Sequence, residues 1–161
     1  MPDLDDLYRE ILLDHYRSPR NRGPLEQTNA YAEGANPLCG DELRVELLLD
    51  DDGVITNVAF VGSGCSISQA SSSLMTDYVM NLTTQEALAG VAAFQRMMTD
   101  GDDPAKDFGD IEALAGVRKF PVRVKCASLA WKTLELALQP QAVDDTNQSP
   151  ATTDDRRVPS D

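Results

Sequence analysis

Apolar residues recur at three- and four-residue intervals from Leu4 through Leu7, Tyr8, Ile11 and Leu12 to His15-Tyr16, a spacing that predicts an amphipathic helix over residues 4–16. Ser18-Pro19 and Asn21-Arg22-Gly23-Pro24 end it, because proline and the residue before it do not continue a helix. Beyond a loop the period changes to two. Leu43, Val45, Leu47 and Leu49 alternate with Glu42, Arg44, Glu46 and Leu48, which predicts a half-buried strand. Asp51-Asp52-Gly53 reads as a tight turn into an antiparallel partner built on Val54, Ile55, Val58, Phe60 and Val61, which stops at Gly62-Ser63-Gly64-Cys65.

From Ser66 the chain turns to Ser, Ala, Leu and Met with no Gly or Pro before Gly90, and Ile67, Ala70, Leu74, Tyr78 and Leu82 keep helical spacing. A further helix runs from Thr84 through Met98 and is broken by Asp100-Gly101-Asp102-Asp103-Pro104. A short helix is expected over Ile111–Ala115. A last one has Pro121 near its first turn and Val122, Cys126, Leu129, Thr133 and Leu136 along one face. Residues 140–161 hold Pro, Gln, Ser, Thr, Asp and Arg with four small apolar residues, too little to bury against the cost of ordering. The expected organisation is one domain over residues 1–139 and a disordered acidic tail over 140–161.

Composition narrows the function. The 161 residues, 42% hydrophobic, suit a single modest core. Acidic residues outnumber basic ones 27 to 14, and the resulting charge of −13 disfavours nucleic acid and anionic membranes as partners. The apolar runs are short, and Met1-Pro-Asp-Leu-Asp-Asp has neither the basic nor the apolar region of a signal peptide, so a cytoplasmic protein is expected. In that compartment three cysteines point to metal binding or thiol chemistry rather than to disulfides.

Those cysteines sit where elements meet: Cys39, within Cys39-Gly40-Asp41, before the first predicted strand, Cys65 between strand and helix, Cys126 early in the last helix. Three thiolates and the Asp41 carboxylate would complete a tetrahedral shell for Zn²⁺. Spacing alone leaves core-filling cysteines as the other reading. Context favours ligands, since Cys39 and Cys65 lie in Gly-containing loop sequence where core filler is not expected. Among other polar residues, His15 and the run Ser71-Ser72-Ser73 read as structural and Trp131 as core. Arg118, Lys119, Arg123 and Lys125 form a basic cluster beside Cys126 that is either a solvated face or, as favoured for Arg123 and Lys125, a docking patch.

Asn36-Pro-Leu-Cys39-Gly-Asp41, Gly62-Ser-Gly-Cys65-Ser-Ile-Ser-Gln-Ala, Gly109-Asp-Ile-Glu-Ala-Leu and Arg118-Lys-Phe-Pro-Val-Arg-Val-Lys-Cys126-Ala-Ser-Leu-Ala-Trp131, with the opening Leu7-Tyr-Arg-Glu-Ile-Leu-Leu-Asp-His15-Tyr-Arg-Ser-Pro-Arg-Asn, together resemble the IscU/SufU/NifU N-terminal family of iron–sulfur cluster assembly proteins. The resemblance runs from about Leu4 to Leu138. Where the IscU-type scaffold has a His immediately before its third Cys, this chain has Lys125. SufU-type proteins carry about 20 extra residues between the second and third Cys, and the 61-residue separation of Cys65 and Cys126 accommodates them around residues 84–111. Both features resemble the SufU-type branch.

The resemblance implies an α+β fold: a small antiparallel sheet of about three strands, the first near Ala30 to Glu33, covered by helices in the SufE/IscU-like manner, with a metal site at an exposed edge. It implies a sulfurtransferase with Zn²⁺ on Cys39, Asp41, Cys65 and Cys126. Cys39 would accept persulfide sulfur from a SufS-type cysteine desulfurase and pass it to the Suf scaffold complex. The alternatives are a scaffold carrying a transient [2Fe–2S] cluster on the same four residues, and a purely structural zinc domain.

Overall fold

Three antiparallel strands form the platform for the helices: β1 (Ala30–Asn36), β2 (Asp41–Leu49) and β3 (Ile55–Ser63), with β2 in the centre. The computed structural model describes residues 4–139 and the pair 151–152. The tail expected over 140–161 lies outside the described residues except for Ala151–Thr152. That pair forms a two-residue strand, β4, parallel to Gly34 and Ala35 of β1.

The pleat separates the two faces of the sheet. Ala30, Ala32, Gly34 and Asn36 of β1 share one face with Leu43, Val45 and Leu47 of β2, and all are buried. The opposite face is polar there: Arg44 bridges to Glu46 at 2.7 Å and lies 3.9 Å over the Tyr31 ring. Against the buried face pack the helices. The last, α4 (Pro121–Leu138), touches β1 and β2, and it is flanked by α2 (Ser66–Val79) and α3 (Thr84–Thr99). Because α4 is enclosed by sheet and helices, it buries a consecutive run from Cys126 to Trp131 rather than a stripe. Trp131, fully buried, stacks on Phe94 of α3 with ring centroids 4.3 Å apart.

α1 (Leu4–Arg17) covers α2. The buried His15 joins the two helices through Nδ1, 2.7 Å from the Ser73 hydroxyl, and that hydroxyl also accepts the Arg20 backbone N–H. α3 opens on a capping box, Thr83 accepting from Glu86 N–H and Glu86 from Thr83 N–H.

Four expected boundaries shift, the first being that the strand expected near Ala30 to Glu33 runs on to Asn36. The strand expected to stop at Gly62 continues through Ser63, because Gly62 at φ +139° lets the chain pass against the Glu42 carbonyl where a Cβ would collide. The helix after Cys65 ends at Val79 instead of reaching Leu82, since Asn81 is left-handed at φ +71°. The short helix at 111–115 is an eleven-residue 3₁₀ segment, Gly109–Lys119, that buries Ile111, Leu114 and Val117 at every third position.

Candidate metal centre

One end of the sheet collects the chemistry. The register pairs Asn36 with Asp41 and Glu42 with Ser63, so the β1–β2 turn carrying Cys39 and the exit of β3 toward Cys65 lie side by side. Gly40, left-handed at φ +69°, makes that turn, and the Cys39 N–H donates to the Asn36 carbonyl at 3.1 Å. α4 brings Cys126 over the same end.

The ligand atoms of Cys39, Asp41 and Cys126 lie within 4.8 Å of one another, and the sulfurs of Cys39 and Cys126 are 2.8 Å apart as free thiols. Cys65 stands outside that tight group. It caps α2, its sulfur accepting the Ser68 N–H at 3.4 Å, while its own N–H donates to Asp41 Oδ1 at 2.8 Å. It lines the same cleft as Cys39 and Cys126.

The electrostatics call for a cation. Asp41 is 1% exposed, and its second oxygen, Oδ2, is buried with no hydrogen-bond partner. An unpaired buried carboxylate oxygen is costly unless a cation or donor faces it. Burial first, then the thiols of Cys39 and Cys65 and the charges of Cys65 and Asp41, push the Cys126 thiol far above its ordinary range. A thiophilic cation replacing that proton would satisfy the sulfur and the orphaned oxygen together. The donor set, sulfur with one carboxylate, fits zinc or iron.

The centre opens to solvent through a cleft of about 480 Å³ walled by residues 119–123 and the three cysteines. Its surroundings are apolar and exposed: Leu38 is 53%, Phe120 55% and Val122 59% accessible. The cluster of four cations divides. Arg118 turns away, its guanidinium donating to the carbonyls of Met97 and Asp102. Lys119 and Arg123 line the cleft, and Lys125 is half-buried next to Cys126.

The serine run does more than save space. Ser71 Oγ donates to the Ala127 carbonyl at 2.6 Å and accepts from the Trp131 indole, tying α2 to the turn of α4 that bears Cys126. Sequence reading missed Asn36, whose buried Nδ2 donates to Cys126 Sγ at 3.7 Å. Its Asn-Pro signature signals a turn and nothing about its side chain.

Comparison with known proteins gives a consistent picture. Residues 7–138 match the NifU-like N terminal domain family. The chain is 46% identical over 134 residues to the zinc-dependent sulfurtransferase SufU of Bacillus subtilis, covering 83% of this chain and 90% of that protein. It is 42% identical over 140 residues to the iron–sulfur cluster assembly scaffold protein IscU of Streptococcus pyogenes, covering 86% and 87%. The crystal structure of a proposed iron–sulfur cluster assembly scaffold protein for the SUF system from Fervidobacterium islandicum superposes with a TM-score of 0.75 at 38% identity, over 81% of this chain and 95% of that one.

Proposed function

This chain belongs to the NifU-like N terminal domain family of iron–sulfur cluster assembly proteins, and from that premise we propose that it is a zinc-dependent sulfurtransferase serving a SufS-type cysteine desulfurase. The observation that carries the reading is the asymmetry of the donor set. Cys39 rides a glycine turn at the mouth of the cleft, whereas Asp41 and Cys126 are buried beneath it. Zinc held by Cys39, Asp41, Cys65 and Cys126 would keep the sulfurs as thiolates and shield them from oxidation.

Cys39, which would be held as thiolate by the metal and freed from it for the reaction, would attack the outer sulfur of the desulfurase persulfide. A sulfur–sulfur bond forms at Cys39, the persulfide bond breaks, and the desulfurase cysteine departs as thiolate, with no net oxidation. Lys119 and Arg123 place positive charge at the mouth of a chain that is otherwise strongly acidic, which favours approach of an anionic persulfide. Arg123 and Lys125, with the exposed Leu38, Phe120 and Val122, form the docking face. The sulfur then passes to the Suf scaffold complex, and the setting is cytoplasmic. No helix among the described residues is long and apolar enough to cross a membrane.

The test is alanine release by a SufS-type desulfurase supplied with cysteine and reductant, with and without the zinc-loaded protein. Strong stimulation that disappears in Cys39→Ala is the expected result. The similarity to a named scaffold at 42% identity favours a second reading, a transient [2Fe–2S] cluster on the same residues. Absence of stimulation, with a cluster assembling on the iron-loaded protein, would establish that reading instead.

A further inference from the structure

We propose that Asn36 is a positioning residue that decides which sulfur leaves the metal centre, holding Cys126 in place so that Cys39 is the one released; this rests on the sulfur-acceptor reading above. Asn36 is the last residue of β1 and is fully buried. The pleat directs it to the face covered by α4, where its Nδ2–H donates to Cys126 Sγ at 3.7 Å across 90 residues of sequence. Its backbone carbonyl accepts the Cys39 N–H at 3.1 Å. One residue thus grips the sulfur of one ligand and the main chain of another.

Packing does not account for the carboxamide. Its Oδ1 is buried with no hydrogen-bond partner, an arrangement that an apolar side chain of similar size would avoid. What the carboxamide adds is an N–H aimed at sulfur. Such a bond fixes where the sulfur sits and, by drawing charge from a metal-held thiolate, dulls it as a nucleophile. Cys65 receives a comparable bond from the Ser68 N–H at the start of α2. Among the described residues neither a carboxamide nor a helix-start N–H donates to the Cys39 sulfur, which faces that of Cys126. Two sulfurs are restrained by amide donors, and the third, on the glycine turn between β1 and β2, is not.

The experiment is alkylation of the zinc-loaded protein by iodoacetamide, with the modified cysteine identified by peptide mass, in the wild type, Asn36→Ala and Asn36→Ser. Zinc content and melting temperature are measured on the same samples. In the wild type Cys39 is modified first. In both variants its preference over Cys126 falls about tenfold, the scale on which outer hydrogen bonds tune a metal site. Asn36 is itself fully buried, so its truncation does not open Cys126 directly to solvent, and burial alone would leave the preference unchanged. Wild-type preference for Cys39 that persists in the variants at full zinc content would overturn the role of Asn36 and leave the sulfur-acceptor reading standing. A wild type that binds no zinc, or is modified at Cys126 first, would overturn that reading and this inference with it. Unfolding of both variants would make Asn36 a purely structural residue.

Discussion

Asp41 accepts the backbone N–H of Cys65 through one carboxylate oxygen at 2.8 Å, while its other oxygen is buried without a partner. The carboxylate therefore has two separable duties: Oδ1 fixes the start of α2 and Oδ2 faces the centre. Asp41→Asn keeps an acceptor for the N–H, whereas Asp41→Ala leaves it unpaired, so unfolding of the metal-free proteins by urea should cost Ala about 1–3 kcal/mol more than Asn. Both variants should lose zinc to a chelator at least about tenfold faster than the wild type. Equal stability of the two variants, or wild-type zinc release from Asn, would contradict this division.

Gly64 makes that contact possible. A Cβ there would stand 2.5 Å from Asp41 Oδ1 and 3.1 Å from Ser68 Oγ, a collision that would push the carboxylate out of line. Gly64→Ala should cost about 1–3 kcal/mol as an overpacked site and lower zinc affinity in the same protein. Calorimetric titration of the refolded variant checks it. Unchanged zinc affinity would mean that the carboxylate position does not govern the metal.

Legibility followed the size of the side chains. β2, β3 and the helices announce themselves because Leu, Val, Ile and Phe fall at periods of two or near 3.6. β1 does not: its buried positions are Ala30, Ala32, Gly34 and Asn36, small residues that let α4 lie close but carry little hydrophobic signal. Only the family resemblance anticipates that strand. The 3₁₀ segment was half visible, since Ile111, Leu114 and Val117 keep a period of three that a short α-helix over 111–115 cannot use to its end. At the centre, Cys39, Asp41 and Cys126 were nameable from their motifs. The hydrogen-bonding of Asn36 and Ser71 was not, because each depends on a contact with α4 made far along the chain.

The stacked pair Phe94 and Trp131 gives the helix around residues 84–99 a measurable role. Both rings are fully buried, and α3 meets α4 through them. Phe94→Ala should lower stability by about 3–5 kcal/mol, the range for emptying an aromatic site. Tryptophan fluorescence during urea unfolding reports it directly. A loss under about 1 kcal/mol would show that α3 docks weakly and that α4 is held by the sheet and α2 alone.

His15 sets a pH dependence of stability. Burial is the largest influence and holds its imidazole below the ordinary value of 6.5, with Arg20 acting in the same direction and Asp77, Asp14 and Asp110 opposing. The folded protein therefore binds a proton at this site less readily than the unfolded chain. Between the lowered folded value and 6.5 the unfolded state holds more protons, so stability rises with pH through that window, is full above it, and falls as the solution is acidified. Protonation also forces Nδ1 to be a donor toward Ser73 Oγ, which already accepts the Arg20 N–H at 2.8 Å. Comparing urea midpoints of the wild type and His15→Asn from pH 5 to 7 isolates this contribution, because the carboxylates and thiols common to both cancel. The wild type should lose stability more steeply than the variant as pH falls from 6.5. Parallel curves would mean that His15 titrates alike in the folded and unfolded chains, and that its burial between α1 and α2 exerts no proton-linked strain.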